Sequence, residues 1–146
     1  MRFDALIFDF DGVLLESEAE GNRQIADYLT SIGHPTTGAE AMSRFMGLAG
    51  KDFLKRLEAY IGRPLPAAFH TAREEENRRA LEAGIDPVAG AVAFVSGLPP
   101  TQPKAIASSS STHWITTHLA HLGLCDAFGA HIYLSLIHIS EPTRPY

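Results

Sequence analysis

The chain has 146 residues, which suits one domain or one domain carrying an insertion, and 45% of them are hydrophobic, enough to bury a core. Its formal net charge is −5, and Arg73, Arg78 and Arg79 sit among Glu74, Glu75 and Glu76, which argues against a nucleic-acid or anionic-membrane surface. Cys125 is the single cysteine, which excludes an internal disulfide framework and disfavours a cysteine metal site. No apolar run reaches the ~18 residues of a membrane span, and no basic segment precedes a long apolar stretch. No signal peptide is evident, and the cytoplasm is the expected location.

Phe3 to Phe8 reads FDALIF, too short for a helix, and suits a buried strand of a parallel sheet. Asp9-Phe10-Asp11-Gly12 follows, with Gly12 opening a loop. Ala19, Asn22, Ile25, Ala26, Leu29 and Ile32 then share one helical face, and Gly33 is a stop. Thr37 and Glu40 fit a capping box for a short helix toward Phe45. Phe53, Leu54, Leu57, Tyr60 and Ile61 form another amphipathic stripe ended by Gly62. Pro66 to Ala83 is charged on one side, with Phe69, Ala72, Ala80 and Leu81 available for packing, and Gly84 ends it.

Residues 16–86 therefore read as about four helices with no strand between them. Pro87-Val88-Ala89-Gly90 marks a boundary. Ala91 to Leu98 predicts a helix, and Pro99, Pro100 and Pro103 make the next loop. Lys104 to Ala107 predicts a second strand, followed by the serine run Ser108 to Ser111. Thr112 is placed as the cap of a helix containing Ile115, Leu119 and Leu122 and closed by Gly123. His131 to Tyr133 predicts the start of a third strand. The order is strand, helical insertion, helix, strand, helix, strand: an α/β fold with a parallel, Rossmann-like sheet and a helical cap inserted after its first strand.

Asp9 and Asp11 stand at the carboxyl end of the first strand, where open α/β sheets bind ligands. Carboxylates placed so close together need exposure, hydrogen bonds or a cation. Mg²⁺ takes one or two protein carboxylates together with substrate phosphate. One carboxylate can then attack phosphorus while the other moves the proton of the leaving oxygen. A bare D-x-D is also an ordinary acidic turn. The longer pattern of apolar strand, D-x-D-G, two aliphatics and Ser17 is more specific. The serine run likewise offers hydroxyls and amides before a helix, where phosphate binds, and is otherwise a common loop or cap composition.

FDFDGVLLESE resembles the first signature of the haloacid dehalogenase (HAD) superfamily, in particular small phosphatases and phosphomutases similar to β-phosphoglucomutase and 6-phosphogluconate phosphatase. The resemblance implies a Mg²⁺-dependent enzyme with Asp9 as nucleophile and metal ligand. Asp11 would be the general acid/base, its backbone carbonyl on the metal. Glu16 stands where Asp is usual and keeps the charge. The family's second motif, an apolar strand ending in Ser or Thr, implies that Ser108 holds a phosphoryl oxygen with help from the Ser109 backbone. Gly12, where the chain turns toward the cap, and Gly47, where a cap loop faces substrate, join Ser109 as substrate-binding positions. Gly47 also reads as a plain helix terminator, and Lys51 as a solvated lysine. The implied domains are a core of residues 1–15 and 87–133 and a four-helix cap of residues 16–86.

His113, His118 and His121 fall on one predicted helix and, lacking a carboxylate or Cys partner, read as surface or packing residues. Cys125 reads as a small packed hydrophobe, and Trp114 as partly buried. The family's third motif, a lysine, and its fourth, an acidic pair, have no counterpart: the last lysine is Lys104, and after Asp126 the only acidic residue is Glu141.

Leu134 to Arg144 reads LSLIHISEPTR, which resembles the translation of a transposase adapter used in sequencing libraries. Residues 134–146 are therefore expected to be a non-native tail on a C-terminally truncated core. Such a core would leave a strand edge and apolar faces exposed, with weak stability and poor catalysis. The function expected of the parent gene is hydrolysis of a small phosphorylated metabolite through an aspartyl-phosphate. A sugar phosphomutase of the same family and a non-catalytic α/β binding module are the alternatives. A dehalogenase fits less well, because Asp11 serves phosphoryl chemistry.

Overall fold

The computed structural model describes residues 3–48 and 50–134. The chain divides into two compact units, one made of residues 1–16 and 84–146 and the other of Ser17–Ala83. Most of the tail expected from residue 134 onward lies outside the described residues.

The first unit holds the sheet. Strands β1 (Leu6–Phe8), β2 (Lys104–Ser108) and β3 (Ile132–Leu134) pair in parallel in the order β1-β2-β3. The register sets Phe8 beside Ile106 and Ile106 beside Ile132. Because side chains alternate across a strand, these three share a face. Leu134, the first residue of the expected tail, completes β3 opposite Ser108; strand pairing is made by the backbone and accepts most side chains.

Helices of this unit lie between the strands in sequence: α5 (Ala91–Gly97) precedes β2, and α6 (Thr112–Leu122) and α7 (Cys125–Phe128) precede β3. Val95, Ile106, Ile115, Leu119, Leu124 and Phe128 join Phe10, Leu14 and Leu15 in one core. Phe8 packs against it, edge-on to Phe128 at 5.6 Å. Each large apolar side chain so buried contributes about 1.5–3 kcal/mol.

The opposite face of the sheet is open: Ile7 is 74% exposed and Tyr133 58%. The expectation of a buried first strand is thus corrected. The described helices contribute to a core on one face, and β1 hydrogen-bonds within the described sheet to β2 alone. Two further readings are corrected. The N-cap of α6 is Ser111, whose Oγ accepts the Trp114 N–H at 3.2 Å, with Thr112 as the first helical residue. Cys125 is exposed, because α7 turns Phe128 inward instead.

The second unit is all helix. On α1 (Ser17–Ser31), Asn22, Ile25, Ala26 and Leu29 are buried, spaced as one face of a helix. The predicted capping box opens α2 (Gly38–Phe45): Thr37 Oγ1 accepts the Glu40 N–H, and the Glu40 carboxylate accepts the Thr37 N–H at 2.8 Å. The Thr37 N–H and the Thr37 hydroxyl, both donating to the Glu40 carboxylate, hold that carboxyl below its ordinary value. Two longer helices follow, α3 (Gly50–Ile61) and α4 (Ala68–Ala83). Ile25, Leu29, Ala41, Phe45, Leu57 and Phe69 are the centre of the core. The outer side of α4 carries Arg78 paired with Glu75 and Glu82, and Arg79 with Glu75. No described helix is long and apolar enough to cross a membrane.

Candidate active site

The first loop of the site is built around Phe10. Its ring is wholly buried, and alternation turns its neighbours the other way, leaving Asp9 exposed and Asp11 half-buried. The Phe10 carbonyl accepts N–H bonds from Leu14 and Leu15 at 2.9 and 3.1 Å, and the Gly12 N–H donates to the Leu15 carbonyl at 2.7 Å. Gly12 adopts φ 75°, a left-handed conformation that costs a residue with a Cβ about 1–2 kcal/mol. Leu14 and Leu15, both buried, anchor the turn in the core. The chain leaves this unit at Glu16, whose N–H donates to the Asp86 carbonyl where the chain returns.

The neighbouring strand supplies hydroxyls. Since Phe8 pairs with Ile106, the register carries Ser108 alongside the Asp9–Asp11 segment. Ser108 is 3% exposed, and its Oγ accepts the Ser110 N–H at 3.1 Å; a hydroxyl accepting one bond keeps a proton to donate. Ser109 is exposed. Beyond Ser111 begins α6, whose first amides favour an anion.

Asp11 ties the two loops together. Ser110 Oγ donates to its Oδ2 at 2.5 Å, and the Trp114 indole N–H donates to its Oδ1 at 3.2 Å. Asp9 is oriented locally, its Oδ1 accepting the Phe10 N–H at 2.7 Å. Asp9, Asp11, Gly12, Ser108 and Ser109 thus lie on two adjacent loops at the carboxyl ends of β1 and β2. Gly47 lies in the second unit, exposed after α2 at φ 77°. Lys51 is exposed on α3.

Ser110 and Trp114 are the residues the sequence reading missed. Their bonds to Asp11 span 99 and 103 residues, and a motif that is contiguous in sequence cannot display them. Among the described histidines, His118 is the buried one. Its ring lies 4.2 Å from the Trp114 ring, with Nδ1 2.9 Å from the Trp114 carbonyl. A cavity of about 820 Å³ in the second unit is lined by Ser43, Arg44, Arg56 and Tyr60 among others, and by none of the predicted site residues.

Among the described residues no cluster of three or more His, Cys, Asp or Glu side chains could hold a metal. Mg²⁺ does not demand one, since it keeps waters and substrate oxygens and takes one or two carboxylates. The Asp9 carboxylate is exposed and fits that role. The carboxylate of Asp11 has both oxygens bonded to Ser110 and Trp114.

Paired carboxylates and a hydroxyl loop stand at the mouth of a parallel sheet, where open α/β folds bind ligands. A family model for haloacid dehalogenase-like hydrolases matches residues 3–144. The chain belongs to that family. A conserved haloacid dehalogenase-like protein of unknown function from Agrobacterium tumefaciens is 34% identical, with a TM-score of 0.79, over 91% of this chain and 59% of that one. A HAD family hydrolase from Deinococcus radiodurans, with bound phosphate and sodium, is 28% identical, with a TM-score of 0.74, over 90% of this chain and 57% of that one. A Thermotoga maritima protein named as a candidate β-phosphoglucomutase is 25% identical, with a TM-score of 0.58, over 91% of this chain and 61% of that one. The chain therefore spans about three-fifths of the length of these structures. No curated protein gave a significant match.

Proposed function

We propose that these residues serve a Mg²⁺-dependent phosphatase of the β-phosphoglucomutase-like subgroup, acting on a small phosphorylated metabolite. The observation that carries the reading is the Ser110–Asp11 bond, which joins the acidic loop after β1 to the serine loop after β2. The Deinococcus hydrolase, with its bound phosphate, supports the choice of phosphate as the group held.

In this reading the Asp9 carboxylate attacks phosphorus, forming an aspartyl-phosphate and breaking the bond to the leaving oxygen. Protonated Asp11 gives that oxygen its proton. Asp11, now a carboxylate, takes a proton from water, whose oxygen attacks the phosphoryl group. Inorganic phosphate leaves and Asp9 is restored. Ser108 and the Ser109 amide hold the phosphoryl oxygens, and Gly12 borders them. Mg²⁺, held by Asp9 and the Asp11 carbonyl, would offset the repulsion between carboxylate and phosphate.

A phosphomutase would use the same first step and pass the phosphoryl group to a second hydroxyl; the likeness to the Thermotoga protein favours keeping that reading. This chain carries no lysine after Lys104 and one acidic residue after Asp126. On its own it is proposed to turn over slowly. The test is hydrolysis of p-nitrophenyl phosphate by a full-length product of the gene. Mg²⁺-dependent release of phosphate that Asp9→Asn abolishes is expected. Unchanged activity in Asp9→Asn would refute the reading. Free phosphate marks a phosphatase, and an isomerised sugar phosphate a mutase.

A further inference from the structure

We infer that Trp114 is a positioning residue for Asp11, using its indole N–H to hold the carboxyl group in the orientation that proton transfer needs. The inference rests on the proposed role of Asp11 as general acid. Asp11 lies on the loop after β1, and Trp114 lies in the first turn of α6. The two meet through one bond, Nε1 to Oδ1 at 3.2 Å. Ser110 approaches the other oxygen, so the carboxyl group is held by donors at both ends.

The indole is itself held in place. Its own N–H backbone group is capped by Ser111 Oγ at 3.2 Å. On its flank the wholly buried His118 ring lies 4.2 Å away, tilted by 47°. The His118 ring is fixed in turn, because its Nδ1 reaches the Trp114 carbonyl at 2.9 Å. A carbonyl can only accept, so Nδ1 carries the proton. Nε2 of His118 is buried without a partner, a polar cost of about 1–3 kcal/mol. A leucine would pack there without it. The cost is understandable if this ring's work is to brace the indole from behind.

A carboxyl group able to swing about its side-chain bonds spends part of its time away from the leaving oxygen. Two donors, one of them on a braced ring, remove that freedom before substrate arrives, and orientation of this kind is a recognised part of a rate enhancement. Trp114 touches Asp11 through its donor, so its loss should fall on the proton-transfer step.

Two measurements test this. In this chain Trp114 is the only tryptophan, so its indole N–H gives one resonance in a ¹⁵N-correlated NMR spectrum. Asp11→Ala, which removes the acceptor, is expected to move that resonance and speed its exchange with solvent; an unmoved resonance overturns the inference, and this arm needs no activity. In a full-length product, Trp114→Phe keeps a ring against His118 and removes the donor. Its kcat/KM, which ends at departure of the leaving group and so excludes the water step that both substrates share, should fall about tenfold on an alkyl phosphate, a modest part of the ~10²–10⁴ that general acid catalysis supplies. It should fall less than threefold on p-nitrophenyl phosphate, whose leaving group needs no proton. An equal loss on both substrates would mean a merely structural tryptophan. If Trp114→Phe does not fold, Ser110→Ala, which leaves the indole in place, should keep the indole resonance protected; its loss there would also overturn the inference. Asp11→Asn separates the two ideas: if it lacks the leaving-group dependence, the role proposed for Asp11 fails, whereas dependence there without any in Trp114→Phe defeats this inference alone.

Discussion

Ile106 and Ile7 are the same residue type on neighbouring strands of one sheet, and the structure assigns them opposite fates. Ile106 is wholly buried in the centre of β2, while Ile7 is 74% exposed on β1. Trimming either to alanine removes three carbons. At ~0.8 kcal/mol for each buried carbon, Ile106→Ala loses about 2.4 kcal/mol of transfer energy, and the cavity left behind raises the total toward ~3–4 kcal/mol. About a quarter of Ile7 is buried, which scales the same transfer term to about 0.6 kcal/mol with no enclosed cavity. Lost strand propensity adds a similar small cost to both and cancels in the comparison. Urea unfolding followed by far-ultraviolet circular dichroism and by Trp114 fluorescence reads both variants. A difference of more than about 2 kcal/mol, with Ile106→Ala the weaker, is expected. Equal losses would mean that the open face of the sheet is covered, and the argument from exposure would be wrong.

Thr37→Ala should lower stability by about 1 kcal/mol through loss of the N-cap of α2, read as a shifted urea midpoint at unchanged slope. Gly84 sits at φ 79°, and a Cβ there would stand 3.0 Å from His121 Cγ. Gly84→Ala should therefore cost about 1–2 kcal/mol for the backbone plus a steric term that adding His121→Ala relieves. Hydrogen bonds from Arg78 and Arg79 hold the Glu75 carboxyl down to about 2. Its contribution is present above the ordinary carboxylate range and is lost as pH falls through about 2, and a carboxyl-detected NMR titration in low salt should find that midpoint. Because the group is exposed, high salt should move the midpoint back up.

Local features were legible in the sequence because their causes are local. The Thr37–Glu40 box needs only residues three apart, and α1 shows its buried face through Asn22, Ile25, Ala26 and Leu29. The D-x-D-G turn and the serine run could be placed at strand ends because apolar runs precede them. What escaped depends on distant parts of the chain. The bond from Trp114 to Asp11 has no local signature, and Trp114 read as merely half-buried. Either Ser111 or Thr112 could cap α6 by composition; which one does is settled by where the helix starts. The short α7 carries too few residues to show a period, so Cys125 was expected inside. The burial of β1 depends on what lies over each face of the sheet, and Ile7 was read as if both faces were covered.

The account rests on Asp9 bonding to phosphorus, and trapping that bond tests it most directly. A full-length product mixed with substrate and Mg²⁺ would be quenched during turnover and treated with borohydride, which reduces an acyl-phosphate to an alcohol. Mass spectrometry should then find homoserine at position 9, unaltered aspartate there in a control without substrate, and no homoserine in Asp9→Asn. Rapid phosphate release with Asp9 recovered unmodified and the reduced residue at another position would contradict it.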